Sequence, residues 1–282
     1  MSYKLSIITI NYNNATGLEK TLKSLINQNS KDFEYIIVDG NSTDESKRII
    51  DTNKNHIDKW ISEKDSGVYN AMNKGIEMAN GDYLLFLNSG DMLANSHVLN
   101  KILPLLENNS DIIYGNLIYS LNEVPQTLFT PSKKINLSYF LNSFLPHPSS
   151  FIKKSLFQRI GFYNEKFKII SDWEFFLRAI VVNKASYLHI DEVISDFDNS
   201  GISSNSENEK LIYNEKQTVY KEFFPNLENE IKLIEFASSR RILQIQNIQK
   251  NHPFLWKLLK VFLNILNTFT GNKEAKAFRK IN

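Results

Sequence analysis

The chain has 282 residues, of which 42% are hydrophobic and 23% are charged. This length buries a full core, and the composition is that of an ordinary soluble globular protein. The absence of cysteine excludes disulfides, thiolate zinc sites and a cysteine nucleophile, and it fits a reducing compartment. Since Met1 leads straight into an apolar run without the features of an export signal, we expect a cytoplasmic protein.

Charge is unevenly distributed along the chain. From Arg240 to the end there are nine lysines and arginines and one acid, Glu274, whereas the rest holds 24 basic and 30 acidic residues. This asymmetry predicts that the tail meets an anionic partner, for which a phospholipid surface and a nucleic acid are the two candidates.

Short apolar runs alternate with helical patterns over the first half. The predicted strands and the helices that follow them are 5–10 and 18–26, 35–38 and 45–50, and 83–87 and 98–106. This rhythm is typical of an α/β fold with a mixed, mostly parallel sheet flanked by helices. A ligand site is then expected beyond the carboxyl ends of the strands.

The second half is less regular at first and then helical. Between residues 110 and 160 the hydrophobic pattern becomes irregular, and we interpret this part as variable loops on the side where an acceptor substrate would bind. Residues 172–182 predict an amphipathic helix, and 187–190 a strand. From about residue 207 only helical periodicity remains. We therefore predict one domain over 1–206 and a helical extension over 207–282.

Polar residues follow two of the predicted strands. Asp39, at the end of its strand, suits hydrogen bonding to a nucleobase or ribose, while Thr43 or Asp44 is placed to cap the next helix. Asp91 follows another strand, where a carboxylate is a ligand for Mg²⁺ or Mn²⁺. The alternatives are turn and cap chemistry around Asp39 and a Gly-Asp turn at Asp91.

Two further clusters stand at helix starts. Residues 65–75 open a helix with small and amide side chains, where phosphate oxygens bind well and Lys74 adds charge. The alternative is that Asp65 or Ser66 is an N-cap. Asp172 opens the later helix, either as a general base for a sugar hydroxyl or as a cap.

His147 lies between two prolines beside a polar loop. Most isolated histidines are structural. The alternative role here is a contact with a diphosphate or a metal ion.

Taken together, these clusters resemble the inverting family 2 glycosyltransferases of the GT-A fold, over about residues 3–200. The similarity is closest to the branch that builds bacterial surface polysaccharides. It is carried by segments 6–13, 38–44, 65–83, 86–91, 147–151, 161–165 and 171–174.

The resemblance implies roles for individual residues. Thr9 and Asp39 would hold the uracil or ribose with Asn41 in support, and Asn73 and Lys74 would lie near the diphosphate. The full set assigned to the donor is Thr9, Asn11, Asp39, Asn41, Asp65, Asn73, Lys74 and Ser89. Asp91 would serve a Mn²⁺ or Mg²⁺ ion, with His147 as a further candidate ligand. Asp172 would activate the acceptor hydroxyl.

The metal motif departs from the family pattern. Asn88 and Gly90 stand where aspartate is common, which leaves Asp91 as its one acid. A single carboxylate suffices where water and substrate phosphates complete the shell of the ion. Ser171 likewise replaces the glutamate that often precedes the base.

The tail segment 253–266 is apolar around much of a helix, interrupted by Lys257 and Lys260. It is too short and too charged to span a membrane. With the basic residues Lys273, Lys276, Arg279 and Lys280 that follow, it predicts a helix lying in an anionic membrane surface, at the inner face of the cell membrane. The alternative is a helix packed on the catalytic domain or on a second subunit.

The leading hypothesis is therefore an enzyme that moves a sugar from a UDP-sugar to a hydroxyl of a lipid-linked saccharide. A non-catalytic nucleotide-sugar binder or assembly subunit is the alternative, motivated by the reduced metal motif. A dehydrogenase ranks last, because neither a Gly-x-Gly-x-x-Gly pattern nor a phosphate loop is found. No nucleic-acid recognition motif accompanies the basic tail.

Overall fold

The computed structural model describes residues 3–121, 124–198 and 206–269. Within these residues nine strands form one sheet. They are β1 (Leu5–Asn11), β2 (Glu34–Asp39), β3 (Lys59–Ser62), β4 (Tyr83–Phe86), β5 (Met92–Leu93), β6 (Ile112–Leu121), β7 (Val124–Phe129), β8 (Ser150–Lys153) and β9 (Tyr187–Asp198).

Helices cover and extend this sheet. They are α1 (Ala15–Ile26), α2 (Ser46–Thr52), α3 (Val68–Met78), α4 (Val98–Ile102), α5 (Leu137–Asn142), α6 (Lys154–Ile160), α7 (Ser171–Leu177), α8 (Glu209–Phe223), α9 (Glu228–Ala237), α10 (Arg240–Asn251) and α11 (Pro253–Phe269).

The sheet is mixed, with strand order β3-β2-β1-β4-β8-β6-β9-β5 and β7 paired to β6. The first four strands in this order are parallel to one another. β8 is antiparallel to both of its neighbours, whereas β6 and β9 are parallel. The α/β architecture predicted from the sequence is confirmed.

The central strands are apolar because helices cover both of their faces. Every residue of β1, β2 and β4 is buried. A parallel sheet that is covered on both sides has this pattern of continuous rather than alternating hydrophobicity. The parallel order also brings the carboxyl ends of β1, β2 and β4 to one edge, where the polar residues of the sequence motifs follow.

Two predicted helices change character before they end. The segment predicted as 98–106 is α-helical only to Ile102 and continues as a 3₁₀ turn over Leu103–Asn108. Pro104 lacks the N–H that an α-helix would require at this point. The segment predicted as 172–182 is α-helical over Ser171–Leu177 and ends in a π turn over Arg178–Val182, which the N–H of Asn183 closes by donating to the carbonyl of Arg178.

The region between residues 110 and 160 contains more regular structure than its sequence indicated. β6 continues to Leu121 because its second half, from Leu117 onward, pairs with β7, and β8 and α6 follow. Here the loss of an obvious hydrophobic period reflects an exposed hairpin: β7 has five exposed residues out of six.

The chain divides into two compact units, residues 1–226 and 227–282. The predicted boundary at 206/207 falls before α8, whereas the units divide after it. α8 belongs with the first unit because Tyr220 packs against Trp173 at a ring distance of 5.8 Å and Glu215 binds the backbone before α7. No helix in the described ranges is both long and apolar enough to cross a membrane.

Candidate functional site

A network of polar side chains joins the ends of β1 and β2 around Asp39. Asn11 Nδ2 donates to Asp39 Oδ1 at 2.8 Å, and the Ser42 hydroxyl donates to the same oxygen at 2.5 Å. Asp39 Oδ2 accepts from the Ser42 N–H at 3.0 Å and from the Ser62 hydroxyl at 2.6 Å. The carboxylate is therefore fixed in position by four donors although it is fully buried.

This arrangement favours the ionised form of Asp39. Burial acts to raise the pKa of the carboxyl, but the hydrogen bonds from Ser42, Ser62 and Asn11 outweigh it, so the pKa lies below its usual value. With four donors already bound, the buried carboxylate has no acceptor position left, so Asp39 holds Asn11, Ser42 and Ser62 in place at the ends of the strands.

The end of β4 joins the same network. The Ser89 hydroxyl donates to Asn11 Oδ1 at 2.8 Å, so Asn11 links Ser89 to Asp39. Asp91 follows and is 4% exposed. Its backbone carbonyl accepts from the Thr21 hydroxyl at 2.7 Å, and its Oδ2 accepts from the Asn88 N–H at 3.2 Å.

The residues around Asp91 offer oxygen ligands. Asn88 Oδ1 is buried and accepts no hydrogen bond from any residue that the structure describes. Together with the Asp91 carboxylate it forms a set of hard donors, the type that Mg²⁺ and Mn²⁺ prefer. Among the described residues, no group of three acidic, histidine or cysteine side chains is placed to hold a metal ion. An ion bound here would need most of its ligands from substrate and water.

Thr9 and Asn41, two of the residues assigned to the nucleotide-sugar donor, lie outside the hydrogen-bond network around Asp39. Thr9 is fully buried, and its hydroxyl accepts from the Tyr35 hydroxyl at 3.1 Å. Asn41 is exposed, adopts a positive φ of 62° and accepts from Lys47 Nζ at 2.8 Å. Thr9 thus contacts the core, whereas Asn41 shapes the turn after β2.

Asp65 connects the network to the start of α3. Its Oδ1 accepts from the Gly67 N–H at 3.1 Å, and a side chain at Gly40 would come within 2.5 Å of its Oδ2. Gly67 caps α3 at a φ of 142°, a region that favours glycine. Asp65 is thus held beside the turn that follows Asp39.

Asn73 and Lys74 bind other parts of the protein. Asn73 Oδ1 accepts from the Tyr163 N–H at 3.1 Å, while its Nδ2 donates to the Tyr163 carbonyl and to Glu165 Oε1. Lys74 Nζ forms an ion pair with Glu63 at 2.7 Å. Asn73 therefore anchors the 163–165 loop, and Lys74 anchors the segment after β3.

Asp172 lies in the first turn of α7 and does not cap it. The cap residue is Ile170, and no side chain caps this helix. Instead, Asp172 Oδ1 accepts from the Tyr69 hydroxyl at 3.0 Å. Burial, followed by the negative charge of Asp172, raises the pKa of Tyr69 well above its usual value, so the phenol stays protonated and remains a donor.

His147 lies in the aromatic core among Phe86, Tyr163 and Phe176. Its ring stacks on Phe86 at 4.9 Å, and its Nε2 lies 2.8 Å from the Tyr163 hydroxyl. Burial lowers the pKa of His147 although the charge of Asp172 acts to raise it. The imidazole is therefore neutral at neutral pH, and the bond to Tyr163 supports the structural alternative for this residue.

Glu215 on α8 fixes the segment that leads into α7. Its carboxylate accepts the N–H groups of Lys168 at 2.7 Å, Ile169 at 3.2 Å and Ile170 at 3.3 Å. These three donors precede the helix that carries Asp172. The position of Asp172 thus depends on a residue more than forty positions away.

The model of the family described as glycosyl transferase family 2 matches residues 6–170, which is more than half of the chain. The chain belongs to this family. The match includes the residues of the hydrogen-bond network around Asp39, the segment that contains Asp91, and Tyr69.

Sequence relatives of this family 2 glycosyltransferase include mycobacterial proteins. An uncharacterized glycosyltransferase of Mycobacterium tuberculosis is 32% identical over 211 residues, 72% of this chain and 78% of the relative. A PGL/p-HBAD biosynthesis glycosyltransferase of Mycobacterium bovis is 31% identical over 212 residues, 71% and 79% of the two chains.

Solved structures share its fold at lower identity. S. aureus TarS 1-349 in complex with UDP-GlcNAc has a TM-score of 0.61 at 18% identity, covering 90% of this chain and 75% of the solved TarS chain. The mannosyltransferase PcManGT from Pyrobaculum calidifontis, in complex with GDP-Man and Mn²⁺, has a TM-score of 0.56 at 13% identity, covering 99% and 83%. The GT-A fold predicted from the sequence is confirmed.

Several residues of the candidate site were missed by sequence reasoning. They are Ser42, Ser62, Tyr69, Tyr163, Glu165 and Glu215. Ser42, Tyr69, Tyr163 and Glu165 lie inside segments that had been singled out, so a signal was present. Ser62 and Glu215 lie in segments without a motif, and only the fold brings them to Asp39 and to the start of α7.

Proposed function

We propose that this chain is an inverting glycosyltransferase that moves a sugar from a UDP-sugar to a hydroxyl of a lipid-linked saccharide in surface polysaccharide synthesis. The observation that carries the proposal is the pair of carboxylates with different environments. Asp39 is buried among four donors, whereas Asp172 is partly exposed and bonded to a protonated tyrosine. Asp39 fixes the edge of the sheet along which the nucleotide would lie, and Asp172 is suited to proton transfer.

The donor would bind along the ends of β1, β2 and β4. Asp39 would hold the uracil or ribose indirectly, by fixing Asn11 and Ser42 at this edge of the sheet, and the hydrogen bond between Ser89 and Asn11 would join the end of β4 to the same site. That TarS has been solved with UDP-GlcNAc supports a uridine nucleotide as the donor class. The PGL/p-HBAD biosynthesis relative supports an acceptor destined for a surface glycolipid or polysaccharide.

Asp172 would act as the base. Its carboxylate takes the proton of the acceptor hydroxyl while that oxygen attacks the anomeric carbon. The bond between this carbon and the diphosphate oxygen breaks, UDP leaves, and the configuration is inverted because attack and departure occur on opposite faces. Tyr69 orients the carboxylate by donating to Oδ1, which leaves Oδ2 for the hydroxyl.

A Mn²⁺ or Mg²⁺ ion would be held by Asp91, and the Asn88 amide oxygen, which accepts no hydrogen bond from the described residues, is a second candidate ligand. When bound, such an ion neutralises charge on the leaving diphosphate. His147 contributes no ligand in this proposal, because Tyr163 and the Phe86 ring surround it.

α11 would attach the enzyme to an anionic membrane surface, where a lipid-linked acceptor resides. At 100° per residue its apolar side chains cover an arc of about 220°, and the opposite side bears Lys257, Lys260 and Asn264. Phe254, Phe262 and Phe269 are 71%, 56% and 83% exposed. A wide apolar arc bordered by lysines is typical of helices that lie in the membrane interface. The further basic residues 273, 276, 279 and 280 lie outside the described residues.

The transferase proposal is tested by a thermal-shift screen of nucleotide-sugars with and without Mn²⁺, followed by UDP release from the donor that stabilises the protein. We expect Asp172→Asn to bind the donor as the wild type does and to lose turnover. Asp51→Asn, at an exposed position on α2, is the matched control and should retain both. Turnover by Asp172→Asn would remove this residue as the base, and donor binding without turnover by the wild type would favour a non-catalytic subunit.

Membrane attachment is tested by co-sedimentation with vesicles of phosphatidylcholine alone or with phosphatidylglycerol. We expect binding only to the anionic vesicles and its loss in Phe262→Asp. A Lys257→Glu, Lys260→Glu variant should bind the anionic vesicles more weakly than the wild type, and the difference between the two proteins should be larger at low salt. If the wild type ignores both vesicles and forms a dimer that Phe262→Asp dissociates, α11 is a subunit contact instead.

A further inference from the structure

A cavity of about 360 Å³ lies beside the residue pair Tyr69 and Asp172, in the first compact unit. Its walls are the start of α3, the 165–169 loop and the first turn of α8. This volume lies within the range of about 300–1,000 Å³ that small-molecule sites occupy.

The cavity is separate from the hydrogen-bond network around Asp39 but adjoins Asp172, the proposed base. None of Asn11, Asp39, Ser89 and Asp91 lines it, whereas Tyr69 does. Since the Tyr69 hydroxyl is bonded to Asp172, a molecule in the cavity lies one side chain away from the carboxylate that deprotonates the acceptor. We infer that this cavity binds a neutral saccharide unit of the acceptor, an inference that rests on the proposed transferase function.

The lining combines the two surfaces that a pyranose ring presents to a protein. Phe167 and Leu211 are apolar and suit the C–H faces of a sugar, while Asn70 and Glu165 are polar and suit its hydroxyls. The single carboxylate of Glu165 is balanced by Lys168 on the same wall. The absence of excess charge in the described lining favours a neutral sugar over a phosphate or a nucleotide.

Glu165 is held in place before a ligand arrives. Its Oε1 accepts from Asn73 Nδ2 at 2.8 Å, and its Oε2 accepts from Asn70 Nδ2 at 3.0 Å and from the Ser66 hydroxyl at 3.5 Å. A carboxylate has about four acceptor positions, so one remains for a sugar hydroxyl. Because its orientation is already set, less entropy is lost when the ligand binds.

The test is ligand-observed saturation-transfer NMR with the methyl α- and β-glycosides of glucose, galactose, mannose and N-acetylglucosamine, each recorded with UDP present. Leu211→Trp fills the cavity from the α8 side without altering Tyr69, Asp172 or Glu165. Leu105→Trp is the matched control, because Leu105 is 38% exposed and does not line the cavity.

We expect at least one glycoside to show a signal with the wild type and with Leu105→Trp, and to lose it with Leu211→Trp while the UDP signals persist. Bound UDP with no glycoside signal from any member of the panel overturns the inference, as does an equal signal with Leu211→Trp. Absence of UDP signals from the wild type would instead contradict the proposed transferase function, so the two failures are distinguishable.

Discussion

The hydroxyl of Tyr69 donates to Oδ1 of Asp172 at 3.0 Å and so joins α3 to the first turn of α7. Its neighbouring acceptor is the carbonyl of Ile169, which precedes the same helix. Because a phenol has one hydrogen, Oδ1 of Asp172 and the carbonyl of Ile169 share it, and Tyr69 lies between the carboxylate and the backbone before the helix.

Tyr69→Phe should therefore lower kcat while donor binding is retained. A hydrogen bond to a charged group contributes about 1.5–3 kcal/mol, which corresponds to a loss of about tenfold to a hundredfold in kcat. UDP release and UDP affinity should be measured on the same preparation. Tyr213→Phe, at an exposed position on α8, is the control, and an equal loss there or an unchanged kcat in Tyr69→Phe would contradict this role.

Glu215 positions Asp172 from the other side through the N–H groups of residues 168–170. In Glu215→Gln one acceptor oxygen is replaced by a donor that faces backbone N–H groups. We expect a loss of about 1–3 kcal/mol in the free energy of unfolding and a lower kcat at unchanged UDP affinity.

The control for this substitution is Glu222→Gln, which is exposed on the same helix. Urea unfolding and UDP titration should be compared for the two variants. If Glu215→Gln weakens UDP affinity as much as it lowers kcat, Glu215 supports the whole fold rather than the segment before α7.

The pKa of Asp39 predicts how stability responds to acid. Because the folded-state pKa lies below the unfolded value near 3.8, ionised Asp39 stabilises the protein above that value, and this contribution is lost as the pH falls through the folded-state pKa. Asp39→Asn should remove this part of the pH dependence. Urea unfolding of both proteins from pH 6 to pH 3 provides the measurement, and equal slopes would contradict the prediction.

His147 is a base rather than an acid, but its shifted pKa also makes the protein less stable as the pH falls. Its folded-state pKa lies below the ordinary 6.5 because it is buried, so the unfolded chain binds the proton more readily. Its neutral form contributes fully above pH 6.5, and this contribution falls as the pH drops below that value. His147→Gln keeps a partner for Tyr163 and should flatten the stability profile between pH 7.5 and pH 5.5.

The matched control is His56→Gln, since His56 is exposed on a 3₁₀ turn. Its profile should follow that of the wild type. A flattened profile in His56→Gln, or an unchanged one in His147→Gln, would show that another group is responsible for the pH dependence in this range.

The sequence predicted the fold well where one element determines its own pattern. Buried parallel strands give continuous apolar runs, so β1, β2 and β4 were found with small errors at their ends. β7 was missed because five of its six residues are exposed, and the α-helix predicted through Leu106 gave way to a 3₁₀ turn at Pro104. Local pattern does not report which strand pairs with which.

The candidate site, like the fold, was predicted only in part. Motif residues such as Asn11, Asp39 and Ser89 are joined by hydrogen bonds, as their positions at strand ends imply. Asn73, assigned to the diphosphate, instead anchors the Tyr163 backbone. Partners that are distant in sequence, of which Glu215 is the clearest case, depend on tertiary packing that neither spacing nor composition encodes.

Asn88 offers a direct test of the reduced metal motif. Its Oδ1 is buried and accepts no hydrogen bond from the described residues, and its backbone N–H donates to Asp91 Oδ2. Asn88→Asp would add a second charged ligand, and a hard divalent ion binds more tightly as the number of charged oxygens increases. We expect Mn²⁺, followed by its EPR signal with UDP present, to bind Asn88→Asp at least several-fold more tightly than the wild type. Asn142→Asp, at an exposed position on α5, should leave Mn²⁺ affinity unchanged.

Because two carboxylates in this segment repel each other without an ion, Asn88→Asp should also be less stable than the wild type when EDTA is present, and Mn²⁺ with UDP should restore its stability. Equal Mn²⁺ affinity in the wild type and Asn88→Asp would separate this segment from the metal site.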